Sequence, residues 1–284
     1  MRKSDRTGAN DCSIISASRR SDIPACLSDW LMERVRAGWA EYANPFSGKL
    51  HRVSLQPKNV HSFVFWSKDY RPLLPHLEEL EARGYCCTFH FTITGLPRLF
   101  EPRVPDTEAA VETFSYLAQR YSPQHVIWRF DPILFSAELE EDYYLARFAQ
   151  LSRLLRGKTR RCYFSFVNYY SKVQKRLARL EGIGCYDPPL ERKRQLAGKL
   201  AEIAAEQEME LYSCCANDLI QPGVKPGHCI DGELLAELFP ERPRVSELRP
   251  TRAECGCYAS RDIGAYDTCE HGCRYCYATW PHVA

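Results

Sequence analysis

Residues Cys86–Thr94 read C-C-T-F-H-F-T-I-T. Strand alternation sets Thr88, His90, Thr92 and Thr94 on one side and Cys87, Phe89, Phe91 and Ile93 on the other. The phenylalanine side is expected to pack on helices, leaving the Thr/His side to line a partly polar interior. Working outward, Ser62–Ser67 (S-F-V-F-W-S) is nearly continuous apolar sequence, as a strand covered on both faces should be. Between the two strands, Leu73, Leu74, Leu77 and Leu80 follow helical spacing up to Gly84. After Pro105 comes a helix with Val111, Phe114, Leu117 and Tyr121, then the strand His125–Asp131 (H-V-I-W-R-F-D).

The same alternation extends to both ends of the chain. Cys12–Ser18 is a strand that breaks into R-R-S-D, and Pro24 opens a helix with Leu27, Leu31 and Val35 that Gly38 stops. Trp39–Gln56 is an excursion whose pairing the pattern leaves unassigned. Tyr144, Phe148, Leu151 and Leu155 mark a helix, and Cys162–Asn168 another strand. A helix over Leu190–Gln207, a sixth strand at Glu210–Cys215 and a short helix around Leu234, Leu235 and Leu238 follow. Strands alternating with helices predict a parallel α/β sheet. No Gly-rich phosphate fingerprint follows the first strand, so a partial TIM-like (β/α)6 barrel is expected over a dinucleotide-binding sheet.

Composition limits the function. The 284 residues are 45% apolar with a net charge of +2, which gives no global footprint for nucleic acid. The basic groups Arg153–Arg161 and Arg192–Arg194 read as solvated helix ends. No apolar run approaches the roughly 18 residues of a membrane span, and the charged start lacks the apolar core of a secretory signal. A cytoplasmic protein is expected, in which 14 cysteines point to metal or redox chemistry rather than disulfides.

Five of those cysteines fall in Glu254–Trp280, where Cys269, Cys273 and Cys276 form C-x3-C-x2-C. Three thiolates on a short loop can hold three irons of a cube and leave the fourth open. Zinc is the alternative; it needs a fourth ligand, for which Cys255, Cys257 or His271 is available. Cys215, Cys229, Cys255 and Cys257 could form a second four-thiolate site, an Fe–S cluster or zinc, while Cys214 is expected to point away from Cys215 and Cys26 to be core. Arg129 and Asp131, on one side of a strand end, are the candidate catalytic pair or an ion pair with each other. Arg19, Arg20, Asp22 and Lys68 occupy equivalent strand ends as candidate cofactor-binding residues.

The motif C-E-H-G-C-R-Y-C-Y resembles the radical S-adenosylmethionine (SAM) superfamily, especially the branch containing spore photoproduct lyase. The wider set S-A-S-R-R-S-D-I-P, F-W-S-K, W-R-F-D-P-I-L and C-G-C before the motif resembles the bacterial domain-of-unknown-function family 1848. The superfamily resemblance implies a 4Fe–4S cluster on Cys269, Cys273 and Cys276, with SAM on its open iron. It also implies an electron donor such as flavodoxin or ferredoxin, and a substrate that the residues do not identify. Nucleic acid enters as a candidate through the lyase branch alone. Gly272 would let backbone approach the cluster, and Tyr275 or Tyr277 would pack near adenine. The motif usually follows the first strand of such barrels, so its C-terminal place implies a permuted order. Residues 1–11 would be a disordered tail, 12–240 the barrel, and 241–284 the Cys-rich segment packed on its mouth. A non-catalytic zinc-stabilised binding module or a two-cluster electron carrier is the competing expectation.

Overall fold

The computed structural model describes residues 12–44 and 47–279, so the expected N-terminal tail lies outside the described residues. The chain runs through β1 (Ser13–Ala17), α1 (Ile23–Cys26), α2 (Ser28–Ala37), β2 (Trp39–Ala43) and β3 (Leu50–Ser54). Next come β4 (Val60–Ser67), α3 (Leu77–Ala82), β5 (Cys87–Thr92), α4 (Thr107–Arg120), β6 (Val126–Ile133) and α5 (Glu141–Leu155). The remainder is β7 (Arg161–Phe166), α6 (Ser171–Leu177), α7 (Leu190–Glu206), β8 (Glu210–Cys214), β9 (Val224–Gly227), α8 (Gly232–Leu238) and β10 (Ser260–Asp262).

Eight strands form one sheet in the order β10-β1-β4-β5-β6-β7-β8-β9, and every neighbouring pair is parallel. The six strands expected from sequence lie side by side in chain order. The unassigned excursion is a separate antiparallel hairpin, β2 with β3. No helix among the described residues is long and apolar enough to cross a membrane.

Both faces of the sheet are covered. Phe63, Phe65, Phe89, Phe91, Trp128 and Phe164 belong to one buried cluster with Leu77, Phe114, Phe148 and Leu200 from α3, α4, α5 and α7. Phe91 stacks on Phe114, and Trp128 on Phe148 with ring centroids 4.8 Å apart. On the opposite face Ile14 and Val64 pack with Ile230, Leu235 and Phe239, while Ile127, Tyr163 and Tyr212 pack with Leu234. Helix α8 therefore covers the second face, and Cys255 and Cys257 enter it as part of that packing.

One expected helix is two. Asp22 caps α1 through a hydrogen bond from Ala25 N, and Leu27 (φ −139°) breaks the helical run before α2 begins. Gly38, with φ +78°, ends α2 as its left-handed cap. The break matters for the site because it ends α1 on Cys26.

Candidate metal centre at the C-terminal ends of the strands

β10 pairs with β1 and brings Asp262 to the loop that follows β1. Its carboxylate accepts from Ser16 Oγ (2.6 Å), Ser18 Oγ (2.8 Å), Arg19 N (2.8 Å) and Gly264 N (3.0 Å). Arg19 donates to Ser260 Oγ at 2.8 Å, and the guanidinium groups of Arg19 and Arg20 each lie 4.0 Å from Asp262. Gly264 is required by this close approach, since a Cβ there would lie 1.9 Å from Ser18 Oγ. Gly264→Ala should cost about 1–3 kcal/mol through overpacking, read as a lowered midpoint in urea with an unchanged slope.

Asp22 ties the terminal loop to the sheet. It accepts from Ser67 Oγ (2.6 Å) and Lys68 N (2.8 Å), and its Oδ2 lies 2.8 Å from His271 Nε2. His271 Nδ1 faces the Arg103 carbonyl at 3.3 Å. Both ring nitrogens thus face acceptors, an arrangement that favours the doubly protonated ring. Burial opposes that charge, but the Asp22 hydrogen bond and charge outweigh it and raise the His271 pKa. Thr268 Oγ1 reaches Ser21 Oγ at 2.6 Å, and Tyr277 OH donates to the Arg19 carbonyl at 2.7 Å.

Cys26, Cys269 and His271 offer ligand atoms within 4.8 Å of one another, a group that could hold a metal ion. The Cys269 thiol is hydrogen-bonded to Cys26, which lowers the Cys26 pKa to about 7. Using His271 as a ligand there would cost its proton and its bond to Asp22 or Arg103.

Cys273 and Cys276 form a separate tight turn, with Cys276 N donating to Cys273 O at 3.1 Å. Buried Arg176 of α6 clamps it, donating to Cys273 O (3.2 Å), Cys276 O (2.9 Å) and Thr279 O. Gly272, at φ +71°, turns the chain into this hairpin over Arg103. Burial pushes the Cys273 thiol up to about 12, with the nearby Lys68 charge opposing. Lys68 Nζ donates to Glu101 (2.8 Å), which also accepts from Thr94 Oγ1 (2.9 Å) and Tyr275 OH. Burial works against the Lys68 charge, yet the Glu101 carboxylate holds its pKa above the usual value.

A cavity of ≈ 260 Å³ opens over these strand ends. Of the residues expected from sequence, Arg19, Lys68, Arg129, Asp131, Tyr275, Tyr277, Cys276 and Cys229 border it. Arg20, Asp22, Gly272, Cys269, Cys273, Cys215, Cys255 and Cys257 stand outside its lining. Arg129 and Asp131 form a two-point ion pair, with Nε donating to Oδ1 at 3.1 Å, and Arg129 Nη1 lies 3.4 Å from Cys229 Sγ. His90 lies deeper, stacked on Trp66, and burial pushes its pKa down to about 3.

The expectation that Cys214 points away from Cys215 is corrected. Their sulfurs are 3.8 Å apart, because β8 ends at Cys214 and Cys215 takes a left-handed φ of +53°, which suspends strand alternation. Cys214 Sγ lies 3.0 Å from Cys229 Sγ.

A family model described as Domain of unknown function (DUF1848) matches residues 14–278. The chain belongs to this family. The match spans every element of the DUF1848 chain from β1 to the last thiol of the terminal loop. No curated protein matches the chain. In this DUF1848 site, sequence reasoning missed Cys26, Glu101, Arg176 and Asp262 as well as Cys214. Cys26, Arg176 and Asp262 have their decisive partners more than 90 positions away, as Glu101 does in Tyr275, so no local spacing marks them.

Proposed function

We propose that this DUF1848 chain is a radical SAM-type enzyme, a partial (β/α)6 barrel with residues 241–284 as a permuted cluster-binding segment. The observation that carries the reading is the return of the three-Cys loop to the C-terminal strand ends, where Cys276, Lys68, Arg129 and Asp131 border one cavity. By donor chemistry, three thiols on one loop suit a cubane cluster. All three motif cysteines are free thiols, Arg176 fixes the carbonyls of the Cys273–Cys276 turn, and half-buried Lys68 supplies positive charge beside Cys273. Cys269, Cys273 and Cys276 would hold the cluster, Cys269 exchanging its Cys26 partner for iron. Bound there with SAM, a 4Fe–4S cluster supplies reductive cleavage of SAM and a radical for substrate chemistry.

The chain's own residues bind and orient. Arg19 and Arg20 share the carboxylate of Asp262 while Asp22 is matched by His271, leaving positive charge at the loop after β1, suited to the carboxylate of SAM. Arg129 is held in one orientation by Asp131 and by the Tyr163 ring, 5.7 Å away. Tyr275, buried and bonded to Glu101, keeps water from the underside of the loop, while exposed Tyr277 stands at the mouth beside Tyr170. An electron donor such as flavodoxin or ferredoxin completes the proposal. The substrate stays open, and the net charge of +2 does not favour duplex nucleic acid.

The test is anaerobic reconstitution with iron and sulfide, reduction in the presence of SAM, and assay of 5′-deoxyadenosine. The expected protein is brown and forms 5′-deoxyadenosine. Iron-loaded protein that leaves SAM intact would sink the enzyme reading in favour of an electron carrier. A colourless protein holding zinc would favour a binding module.

A further inference from the structure

Four thiols outside the terminal loop meet at the end of β8. Cys214 Sγ lies 3.8 Å from Cys215 Sγ and 3.0 Å from Cys229 Sγ, and the Cys229 thiol is also hydrogen-bonded to Cys257. They come from three separate segments: the β8 end, the turn before α8, and the C-G-C sequence before β10. All are free.

Buried cysteines that merely fill space need no polar partners, but these have them. The guanidinium of Arg129 is directed at Cys229 Sγ (3.4 Å), and Ile230 N at Cys257 Sγ (3.5 Å). Cation and N–H donors aimed at sulfur favour thiolate, the metal-binding form. Gly256 holds C-G-C in place, because a Cβ there would lie 2.3 Å from the His228 ring. His228 Nδ1 is buried and has no hydrogen-bond partner among the described residues.

We infer that Cys214, Cys215, Cys229 and Cys257 are the ligands of a second metal centre, an iron–sulfur cluster beside the cavity that the terminal loop also borders. Cys214 and Cys229 line that cavity together with Cys276. The spread of the sulfurs selects a cluster over one zinc ion. Four thiolates on zinc, at about 2.3 Å each, lie within about 4 Å of one another. Among the described residues the one donor trio mutually within 4.8 Å is Cys26, Cys269 and His271, so these four thiols form a chain wider than one ion's reach. Several irons can bridge such a chain.

The inference stands apart from the radical SAM reading, and iron and sulfide analysis of anaerobically reconstituted protein separates the two. The variant carrying Cys269→Ala, Cys273→Ala and Cys276→Ala together should keep about 2 to 4 iron per chain with matching sulfide and thiolate-to-iron absorption. Adding Cys214→Ser and Cys229→Ser should remove that iron. A triple variant holding zinc alone, or no metal, overturns the second cluster. The unsubstituted chain gives an independent count that does not depend on variants folding. About 6 to 8 iron supports two clusters, and about 4 iron overturns the second. The chain with only Cys214→Ser and Cys229→Ser should retain about 4 iron on the terminal loop, and loss of that iron counts against the radical SAM reading alone.

Discussion

Alanine at Cys269, Cys273 or Cys276 should lower SAM cleavage more than about 100-fold, exceeding the 10–100-fold typical of changes next to metal ligands. The fold should survive, because Arg176 holds the loop by backbone carbonyls, which alanine retains, and Asp22 and Asp262 hold it through His271 and Gly264. Cys26→Ala is the informative companion. Cys26 belongs to the trio with Cys269 and His271 but not to the C-x3-C-x2-C spacing, so its loss should leave cluster iron in place. Iron content and 5′-deoxyadenosine yield are the measurements. If Cys26→Ala and Cys269→Ala abolish metal binding equally while Cys276→Ala keeps it, the site is mononuclear and the cluster reading is wrong.

Asp131→Ala should destabilise the metal-free protein by about 3–5 kcal/mol, the usual cost of stranding one partner of a buried ion pair. Arg129 exposes only 9% of its side chain, and without the carboxylate its charge keeps, among the described residues, the Cys229 and Cys214 thiols and the face of Tyr163. For a chain of this size that corresponds to a fall in Tm on the order of 10 °C. Arg129→Met should cost less, because Asp131 is the more exposed partner, 13% against 9%, and keeps Ser165 Oγ at 3.5 Å. Melting curves of both variants check the asymmetry. A Tm within about 1 °C of the parent for Asp131→Ala would mean that Asp131 is not what compensates the buried guanidinium.

The strands legible in the sequence are those that bury apolar runs on both faces. β4 and β6 are eight residues each, and Phe63, Phe65, Trp128 and Phe130 announce them. β9 is V-K-P-G and β10 is S-R-D, both at sheet edges, so neither carries a hydrophobic pattern. The β2–β3 hairpin buries little beyond Ala40 and Val53, too few points to establish a period. At the site, C-x3-C-x2-C marks its cysteines because one loop carries them at fixed spacing. Cys26 and Cys269 are 243 positions apart, so only the fold brings them together. The Cys214–Cys215 geometry depends on a left-handed residue that is not a glycine, for which composition gives no cue.

The pairing of β10 with β1 imposes an order on biosynthesis. Ser16 leaves the ribosome 246 residues ahead of Asp262, its hydrogen-bond partner. At about 5–20 residues per second that is a delay of about 12–50 s. Once β8 has emerged the strands from β1 to β8 can pair in chain order, while one edge of β1 is still unpaired and Cys26 has no Cys269 beside it. Edge closure and assembly of the thiol loop are therefore the same late event. On the proposed cluster reading, iron delivered earlier would find the sheet without its ligand loop.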